Sequence, residues 1–361
     1  MDFRVVTVVV LVLALGGFLA SRLTTLRTPV LSTAGAAEAH SNEDYPAPNF
    51  QGVTAWINSP PLSVTDLRGK VVLVDFWTYS CINCIRTLPF LKSFDAQYRP
   101  FGLDIVGVHS PEFSFEKVQS NVQAAVMERG VVWPVAMDND LKTWTAYKNQ
   151  YWPHVYLVDR QGNVRYDFIG EGQDAAMQAA IRTLLAEPGV TLPRAAPLPV
   201  SGPSQTQLTP EIYLGPQRGQ VQGSLANAEG YRSGAFDYPP PDPGRIQQAG
   251  PGGQFFLSGP WRAAGEDIQP GAAGAQVILP FYARDVYIVG GPAASGAATL
   301  SVMLDGQPVP VALSGQDVHD GVVTLDHRDL YHLVHLGGVQ YHVLTLSTRD
   351  ANGELFTFTF G

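Results

Sequence analysis

The sequence predicts an α/β domain followed by an all-β domain of sandwich or jelly-roll type, with an apolar export or membrane segment at the amino terminus. Residues 71–77 (VVLVDFW) form a nearly continuous apolar run of strand length, typical of a strand buried on both faces. Beyond about residue 207 the apolar residues alternate with a period of two, and no helical stripe is present. No residue from Val5 to Ala20 is charged.

The amino-terminal run is short for a membrane-spanning helix, which needs about 20 apolar residues. It is long for the core of a signal peptide, which has about 7–15. Small-residue cleavage patterns such as residues 34–36 lie well past the run. We therefore expect residues 1–22 to be an uncleaved anchor, with a cleaved signal as the alternative, and residues 23–47 to be a tether.

Length and composition support two domains. The 361 residues exceed the usual single domain, and we expect an α/β domain over 48–187, a Pro-rich linker over 188–206 and the β domain over 207–361. The formal net charge is −9, and no dense Lys/Arg run is present. Nucleic-acid binding is therefore not expected.

The α/β domain begins with the strand at 71–77, and the next apolar residues fall at helical spacing. Strands and helices then alternate and end in a hairpin and a closing helix, which predicts a mixed sheet with helices packed on it. The expected helices are 84–98, 115–127, 141–147 and 173–185, and the expected later strands are 103–108, 131–137, 155–158 and 164–169.

The β domain is expected to contain short strands joined by tight turns. Asp305-Gly306 and Asn352-Gly353 are hairpin turns by composition. The expected strands are 254–257, 276–282, 286–289, 299–304, 309–313, 322–325, 330–336, 341–347 and 355–360.

Cys81 and Cys84 are the only cysteines in the chain. With no other cysteine available for a structural disulfide, the pair is either a redox couple or half of a metal site. Cys81 falls at the start of a helix, where free backbone N–H groups and the helix dipole favour a thiolate. We expect Cys81 to be the exposed nucleophile and Cys84 to resolve the mixed disulfide.

Two residues flank this pair at informative distances. Asp75 lies six residues before Cys81 within a buried strand, where a carboxylate is costly unless it has a partner or a task. We expect Asp75 to take the proton of Cys84 through a water, with hydrogen bonding at the strand end as the alternative. Pro89 is expected to kink the following helix, the alternative being a later helix start.

The residues that carry these features resemble a known family. The spacing of Asp75, Cys81, Cys84 and Pro89 is similar to that of a thioredoxin fold. Residues 76–89 (FWTYSCINCIRTLP) resemble the extracytoplasmic part of DipZ-type proteins, near the membrane-anchored TlpA/ResA-like thiol oxidoreductases. The DipZ pattern also includes residues that match 48–50 (PNF), 67–70 (LRGK), 109–116 (HSPEFSFE) and 209–215 (TPEIYLG).

This resemblance implies a thioredoxin fold followed by a β domain like a carbohydrate-binding module. It implies that Pro153 is the cis-proline beside the disulfide, where it helps to seat a substrate strand, and that about 115–137 is the TlpA-type insertion. Trp152, Trp77 and Tyr79 are candidates for the cleft wall, with core packing as an equal alternative. The redox-active Cys81–Cys84 disulfide needs no cofactor.

The resemblance also implies a bacterial protein of the periplasm, anchored to the inner membrane, that exchanges disulfides with protein thiols; apocytochrome c is one possible substrate. DipZ proteins carry a multi-helix membrane domain that delivers electrons, whereas this chain has one apolar segment. We therefore expect a separate membrane electron donor of the CcdA type, or a separate oxidant.

Two alternative functions stay open at this point. A copper chaperone would hold the metal between Cys81, Cys84 and a histidine such as His154, because copper(I) accepts two thiolates. A binding protein would use the β domain to hold cell-wall glycan or a partner. The late histidines suggest a metal site, but His332 and His335 have opposite parity on a strand, so we expect no metal there.

Overall fold

The computed structural model describes residues 40–187, 189–199 and 208–361. The expected anchor (1–22) and most of the expected tether lie outside the described residues. Within the described part, no helix is both long enough and apolar enough to cross a membrane.

The α/β domain is built around the strand β3, in which every residue is buried. Its side chains alternate between two apolar clusters on opposite faces of the sheet, as expected for a strand covered on both sides. The strands are β1 (His40–Pro46), β2 (Ala55–Ile57), β3 (Val71–Trp77), β4 (Leu103–His109), β5 (Val135–Met137), β6 (His154–Val158) and β7 (Asn163–Ile169). The helices are α1 (Ile82–Tyr98), α2 (Gln119–Glu128), α3 (Lys142–Ala146) and α4 (Asp174–Ala186).

These strands form a seven-stranded sheet in the described residues, in the order β1-β7-β6-β3-β4-β5-β2. β3 is parallel to β4 and antiparallel to β6, and β6 and β7 form the expected hairpin. This arrangement confirms the thioredoxin-type sheet.

Three local expectations in this domain are wrong. The end of the expected tether is not free chain, because β1 pairs with β7 along the sheet edge. The expected helix 115–127 is divided by Val118, whose extended backbone separates a 3-10 turn (Ser114–Lys117) from α2. The strand expected over 131–137 shortens to β5, which follows Pro134, a residue without a backbone N–H donor.

The carboxy-terminal domain is dominated by strands. Those described are β8 (Ile212–Tyr213), β9 (Ala235–Tyr238), β10 (Phe256–Ala264), β11 (Asp267–Pro270), β12 (Gln276–Pro292), β13 (Ala298–Leu304), β14 (Gln307–Pro308), β15 (Val318–His319), β16 (Val322–Leu325), β17 (Asp329–Thr348) and β18 (Gly353–Phe360). They belong to one 11-stranded sheet in the described residues and enclose one apolar core.

Two pairs of expected strands are continuous in the structure. The strands expected at 276–282 and 286–289 form the single strand β12, and those expected at 330–336 and 341–347 form β17. Between the expected strands the pairing of β12 with β17 shifts in register, but the chain does not leave the sheet as a loop. The strand expected at 309–313 is wrong: pairing with β13 ends at Val309, Pro310 has no backbone N–H donor, and a 3-10 turn follows (Val311–Leu313). Two short helices were not expected, α5 (Pro216–Gln222) and α6 (Pro243–Ala249), and each starts with a proline.

The two domains share part of one core. Phe356 of β18 and Val289 of β12 are buried in the same apolar cluster as the helices of the α/β domain. The ring of Phe356 lies 5.3 Å from that of Phe113 and 4.8 Å from that of Phe115. Arg129 also forms a 2.7 Å ion pair with Asp329 across the boundary. The β domain is therefore a structural support of the domain that carries the cysteines.

Candidate active site

The cysteine pair lies where β3 passes into α1. Cys81 caps the helix with an extended backbone, and its Sγ accepts a hydrogen bond from the backbone N–H of Cys84 at 3.2 Å. The Sγ of Cys84 lies 2.6 Å from the Sγ of Cys81, and both thiols are free. Cys81 is partly exposed and Cys84 is buried. A substrate can therefore reach Cys81, and Cys84 lies behind it. The two sulfur atoms need to approach only slightly to reach the length of a disulfide bond, about 2.05 Å.

The environment of Cys84 opposes its ionisation. Burial raises the pKa of the Cys84 thiol, and the contact with Cys81 and the charge of Asp75 add to the effect. Cys84 is thus held as a protonated thiol until a base removes its proton.

Asp75 is a buried carboxyl in the centre of the sheet. It lies on β3 between Gly107 of β4 and Val155 of β6. Burial raises the pKa of Asp75 to about 7, and its Oδ1 has no hydrogen-bond partner in the described residues. The alternative of a hydrogen-bonded strand-end aspartate does not account for that oxygen, whereas a base that titrates near neutral pH could accept the Cys84 proton.

Pro153 lies at the end of the sheet where β3 passes into α1. It directly precedes His154, which pairs with Phe76 near the end of β3, and the Trp152–Pro153 peptide bond is cis as expected.

Trp152 is partly exposed, and its indole N–H donates to the carbonyl of Ser110 at 2.9 Å. Its ring stacks on Trp144 at 4.2 Å. Trp152 is therefore available to form a wall of the site.

The other two aromatic candidates do not line an open cleft, and this expectation is corrected. Trp77 and Tyr79 are each only 1% exposed, so their rings belong to the core. The indole nitrogen of Trp77 occupies space left by Gly107, where a Cβ would lie 2.9 Å away. The hydroxyl of Tyr79 donates to the carbonyl of Arg328 in the β domain at 3.2 Å.

Helix α1 begins at Ile82 and runs through Pro89, so the alternative of a later helix start is wrong. Arg86 ties the second turn of this helix to the loop after β7 and to the β domain, where the guanidinium donates to the carbonyl of Phe360 at 3.5 Å. The guanidinium forms an ion pair with Glu171 at 2.9 Å and donates to the side chain of Asn83, between the cysteines, at 2.7 Å.

Glu116, the last residue of the 109–116 motif, is a buried carboxyl beside the loop before Cys81. It is fully buried, and its Oε1 accepts a 2.6 Å hydrogen bond from the hydroxyl of Ser80, the residue before Cys81. Its Oε2 accepts the backbone N–H groups of Glu112 at 2.6 Å and Phe113 at 2.9 Å. Burial, followed by the charge of Glu112, raises the pKa of Glu116 to about 7. Only its place in the 109–116 motif could have signalled this role.

The 109–116 motif also contacts the β domain. Glu112 accepts hydrogen bonds from the hydroxyl of Tyr213 at 2.6 Å and from Arg218. Burial raises the pKa of neighbouring Glu211 to about 8. Buried carboxyls therefore extend from the loop before Cys81 to the domain boundary.

The histidine considered for a copper site is held elsewhere. His154 contacts Asn149 Oδ1 through Nδ1 at 2.5 Å and Asp167 Oδ2 through Nε2 at 2.9 Å. Neither of the candidate metal-ligand groups among the described residues includes a cysteine. The copper-chaperone alternative therefore lacks its expected third ligand.

Comparisons with known proteins match both domains of the chain. Residues 42–185 match the family model described as Redoxin, and residues 209–361 match the one described as Thioredoxin like C-terminal domain. The chain therefore carries a Redoxin domain followed by a Thioredoxin like C-terminal domain.

Over most of its length, the chain is similar to DipZ proteins. It is 38% identical over 327 residues to protein DipZ of Mycobacterium bovis and of Mycobacterium tuberculosis, an alignment that covers 87% of this chain and 43% of DipZ. The chain thus spans less than half the length of these relatives.

Smaller relatives match the α/β domain. Thiol-disulfide oxidoreductase YkuV of Bacillus subtilis is 26% identical over 142 residues, which cover 39% of this chain and 95% of that protein. A solved thiol-disulfide isomerase from Corynebacterium glutamicum is 27% identical, with a TM-score of 0.36, over 39% of this chain and 97% of that one.

Proposed function

We propose that this protein exchanges disulfides with protein substrates through Cys81 and Cys84. The observation that carries the proposal is one partly exposed and one buried thiol, 2.6 Å apart, at the amino terminus of a helix. In the reducing direction, the Cys81 thiolate attacks a substrate disulfide and releases one substrate thiol. Cys84 then attacks Cys81 Sγ, which releases the second thiol and leaves the pair oxidised, so two electrons pass to the substrate.

Two further groups support the resolving step and the seating of the substrate. Asp75 takes the proton of Cys84 as its thiol attacks, which its pKa of about 7 permits near neutral pH. The backbone beside Pro153 receives an extended substrate segment, and Trp152 contacts its side chains.

Trapping of the mixed disulfide tests this proposal. Cys84→Ser should accumulate a covalent complex with a disulfide-bonded protein such as insulin, because attack proceeds without resolution. Cys81→Ser should form no complex and should lose insulin reduction. Turnover retained by Cys81→Ser would refute the proposal, and Val311→Ala, at a side chain 82% exposed in the β domain, provides a control that keeps both thiols and the loop before them.

The place of action and the electron source are part of the proposal. The uncharged run Val5–Ala20 supports an anchored protein that works outside the cytoplasm. The dithiol would then be regenerated by a separate membrane donor of the CcdA type or oxidised by a separate partner. Alkylation of Cys81 in intact cells by a membrane-impermeant thiol reagent tests the location; labelling only after cell lysis would contradict it.

We also infer that the β domain binds carbohydrate. Tyr282 of β12 and Tyr341 of β17 stand directly opposite each other and are 39% and 43% exposed. Two neighbouring exposed rings can stack on sugar faces, whereas Trp261 and Tyr238 are buried in the core. Double replacement of Tyr282 and Tyr341 by alanine should abolish retention on cell-wall glycan and leave insulin reduction intact. Unchanged retention would refute this role.

A further inference from the structure

Two histidines and a carboxylate meet at one point of the β domain, contrary to the expectation from strand parity. His335 pairs with Asp285, but His332 pairs with Tyr287, so the register shifts by one residue between them. Leu333 is the extra residue of this bulge. The bulge reverses the parity of β17 and turns both imidazoles toward the same side chain, as β-bulges do when they redirect residues.

The three side chains offer their ligand atoms to one small volume. Asp285 Oδ1 lies 3.0 Å from His332 Nε2 and 2.5 Å from His335 Nδ1, and the three ligand atoms lie within 4.8 Å of one another. The carbonyl oxygen of Val334 is 2.9 Å from the same His332 nitrogen and adds a fourth polar atom.

The carboxylate is fixed in place for this arrangement. Asp285 is 2% exposed, and its Oδ2 accepts a 2.6 Å hydrogen bond from Arg284, which leaves Oδ1 to face the histidines. Burial opposes ionisation of Asp285, but hydrogen bonds from His332, His335 and Arg284 outweigh it and hold its pKa well below the usual range. A hydrogen-bonded carboxylate of this kind is a common feature of metal ligands.

The two histidines differ in how far they are exposed to solvent. The side chain of His335 is 56% exposed, whereas that of His332 is 14% exposed and stacks on Tyr287 at 4.4 Å. One ligand is therefore rigid and the other is reachable from solvent, which gives an ion an entry path and an open coordination position.

We propose that Asp285, His332 and His335 form a binding site for a divalent transition-metal ion, with Zn²⁺ as the ion that fits best. Two imidazole nitrogens and one carboxylate oxygen are a zinc ligand set, and three protein ligands leave the fourth tetrahedral position open. Ca²⁺ and Mg²⁺ prefer sets made entirely of oxygen. To bind the ion, each histidine must present a ring nitrogen that carries no proton.

Zinc titration of the full chain tests this site, in a Cys81→Ser/Cys84→Ser background that removes the competing thiolates. Calorimetry with Zn²⁺ should show one saturable site per chain. His332→Ala should abolish binding, and His335→Ala, a change at an exposed ring, should weaken it at least tenfold. Because His335→Ala removes no buried group, it remains informative if His332→Ala fails to fold.

Two histidine variants serve as matched controls. His342 lies outside the proposed site and hydrogen-bonds to Asp305 at 2.6 Å, and His327 belongs to a second group with Glu128 and Asp329. His342→Ala and His327→Ala should both retain full binding. The proposal is overturned if the cysteine-free protein shows no saturable zinc binding, if His335→Ala binds zinc unchanged, or if His327→Ala alone removes it.

Discussion

At the scale of single residues, the site combines the partly exposed thiol of Cys81 with buried groups whose pKa values are raised by burial. Burial raises the pKa of Asp75 and of Glu116 to about 7 and raises that of the Cys84 thiol. These groups are therefore predominantly neutral below pH 7. Asp75 is the one of the two carboxyls with an unpartnered oxygen in the described residues, so it is the one placed to receive a proton.

The resolving step is predicted to depend on Asp75. Ionised Asp75 is the base, so release of the mixed disulfide should accelerate as pH rises through about 7. Asp75→Asn should slow that step about 10²-fold at pH 8 and remove the inflection near pH 7. Stopped-flow measurement of mixed-disulfide decay provides the rate, and an unchanged profile in Asp75→Asn would argue against the role.

Asp75 should also make stability depend on pH in a defined direction. In the unfolded chain it ionises near its ordinary value of 3.8, and in the folded protein near 7. Folding is therefore weakened as pH rises from about 4 to 7, since the raised pKa favours the protonated folded form. Asp75→Asn should be more stable relative to wild type at pH 8 than at pH 4, by roughly 4 kcal/mol. Urea unfolding at both pH values measures this difference, and a difference near zero would contradict it.

At the scale of elements, the sequence allowed the β3–cysteine–α1 unit to be predicted almost residue by residue. Its signals are local: an apolar run, a helix-start cysteine and a stripe at helical spacing. The pairing of β1 with β7 and the bulge at Leu333 depend on distant strands. Neither has a local signal, so parity arguments placed His332 and His335 on opposite faces.

The 3-10 turn Ser114–Lys117 is predicted to anchor the loop before Cys81 through Glu116. Glu116→Ala removes the acceptor for the Ser80 hydroxyl and for two backbone N–H groups, which should cost about 2–4 kcal/mol of unfolding free energy. Glu116→Gln keeps an acceptor oxygen without the charge and should lose less than half of that. Denaturant unfolding of the two variants checks this, and equal losses would show that the hydrogen bonds are not the anchor.

At the scale of the whole molecule, the two domains act as one structural unit. The boundary contains aromatic rings, ion pairs and hydrogen-bonded carboxyls, whereas the sequence predicted only that a Pro-rich linker joins the two domains. Sequence reasoning could not detect this, because Phe113, Phe115 and Phe356 each look like ordinary core residues of their own domain. Only the folded chain places their rings 4.8–5.6 Å apart.

Loss of the boundary should therefore destabilise the active site. Phe356→Ala is predicted to cost about 3–5 kcal/mol and to lower the unfolding midpoints of both domains together. Val311→Ala, at a side chain 82% exposed, is the matched control and should change stability by less than about 0.5 kcal/mol. Calorimetric unfolding distinguishes the outcomes, and an α/β-domain transition unaffected by Phe356→Ala would show that the domains are independent.

The measurement that tests the account most directly is a redox titration of the wild-type protein in glutathione buffers, read by the mass added when free thiols are alkylated. We expect a single two-electron transition in which both thiols disappear together, at a potential between roughly −120 and −270 mV, as in other thioredoxin-like proteins. Asp75→Asn should retain the transition, whereas Cys84→Ser should abolish it. If Cys81 and Cys84 stay reduced throughout, or titrate separately, the pair is not a redox couple and the central claim fails.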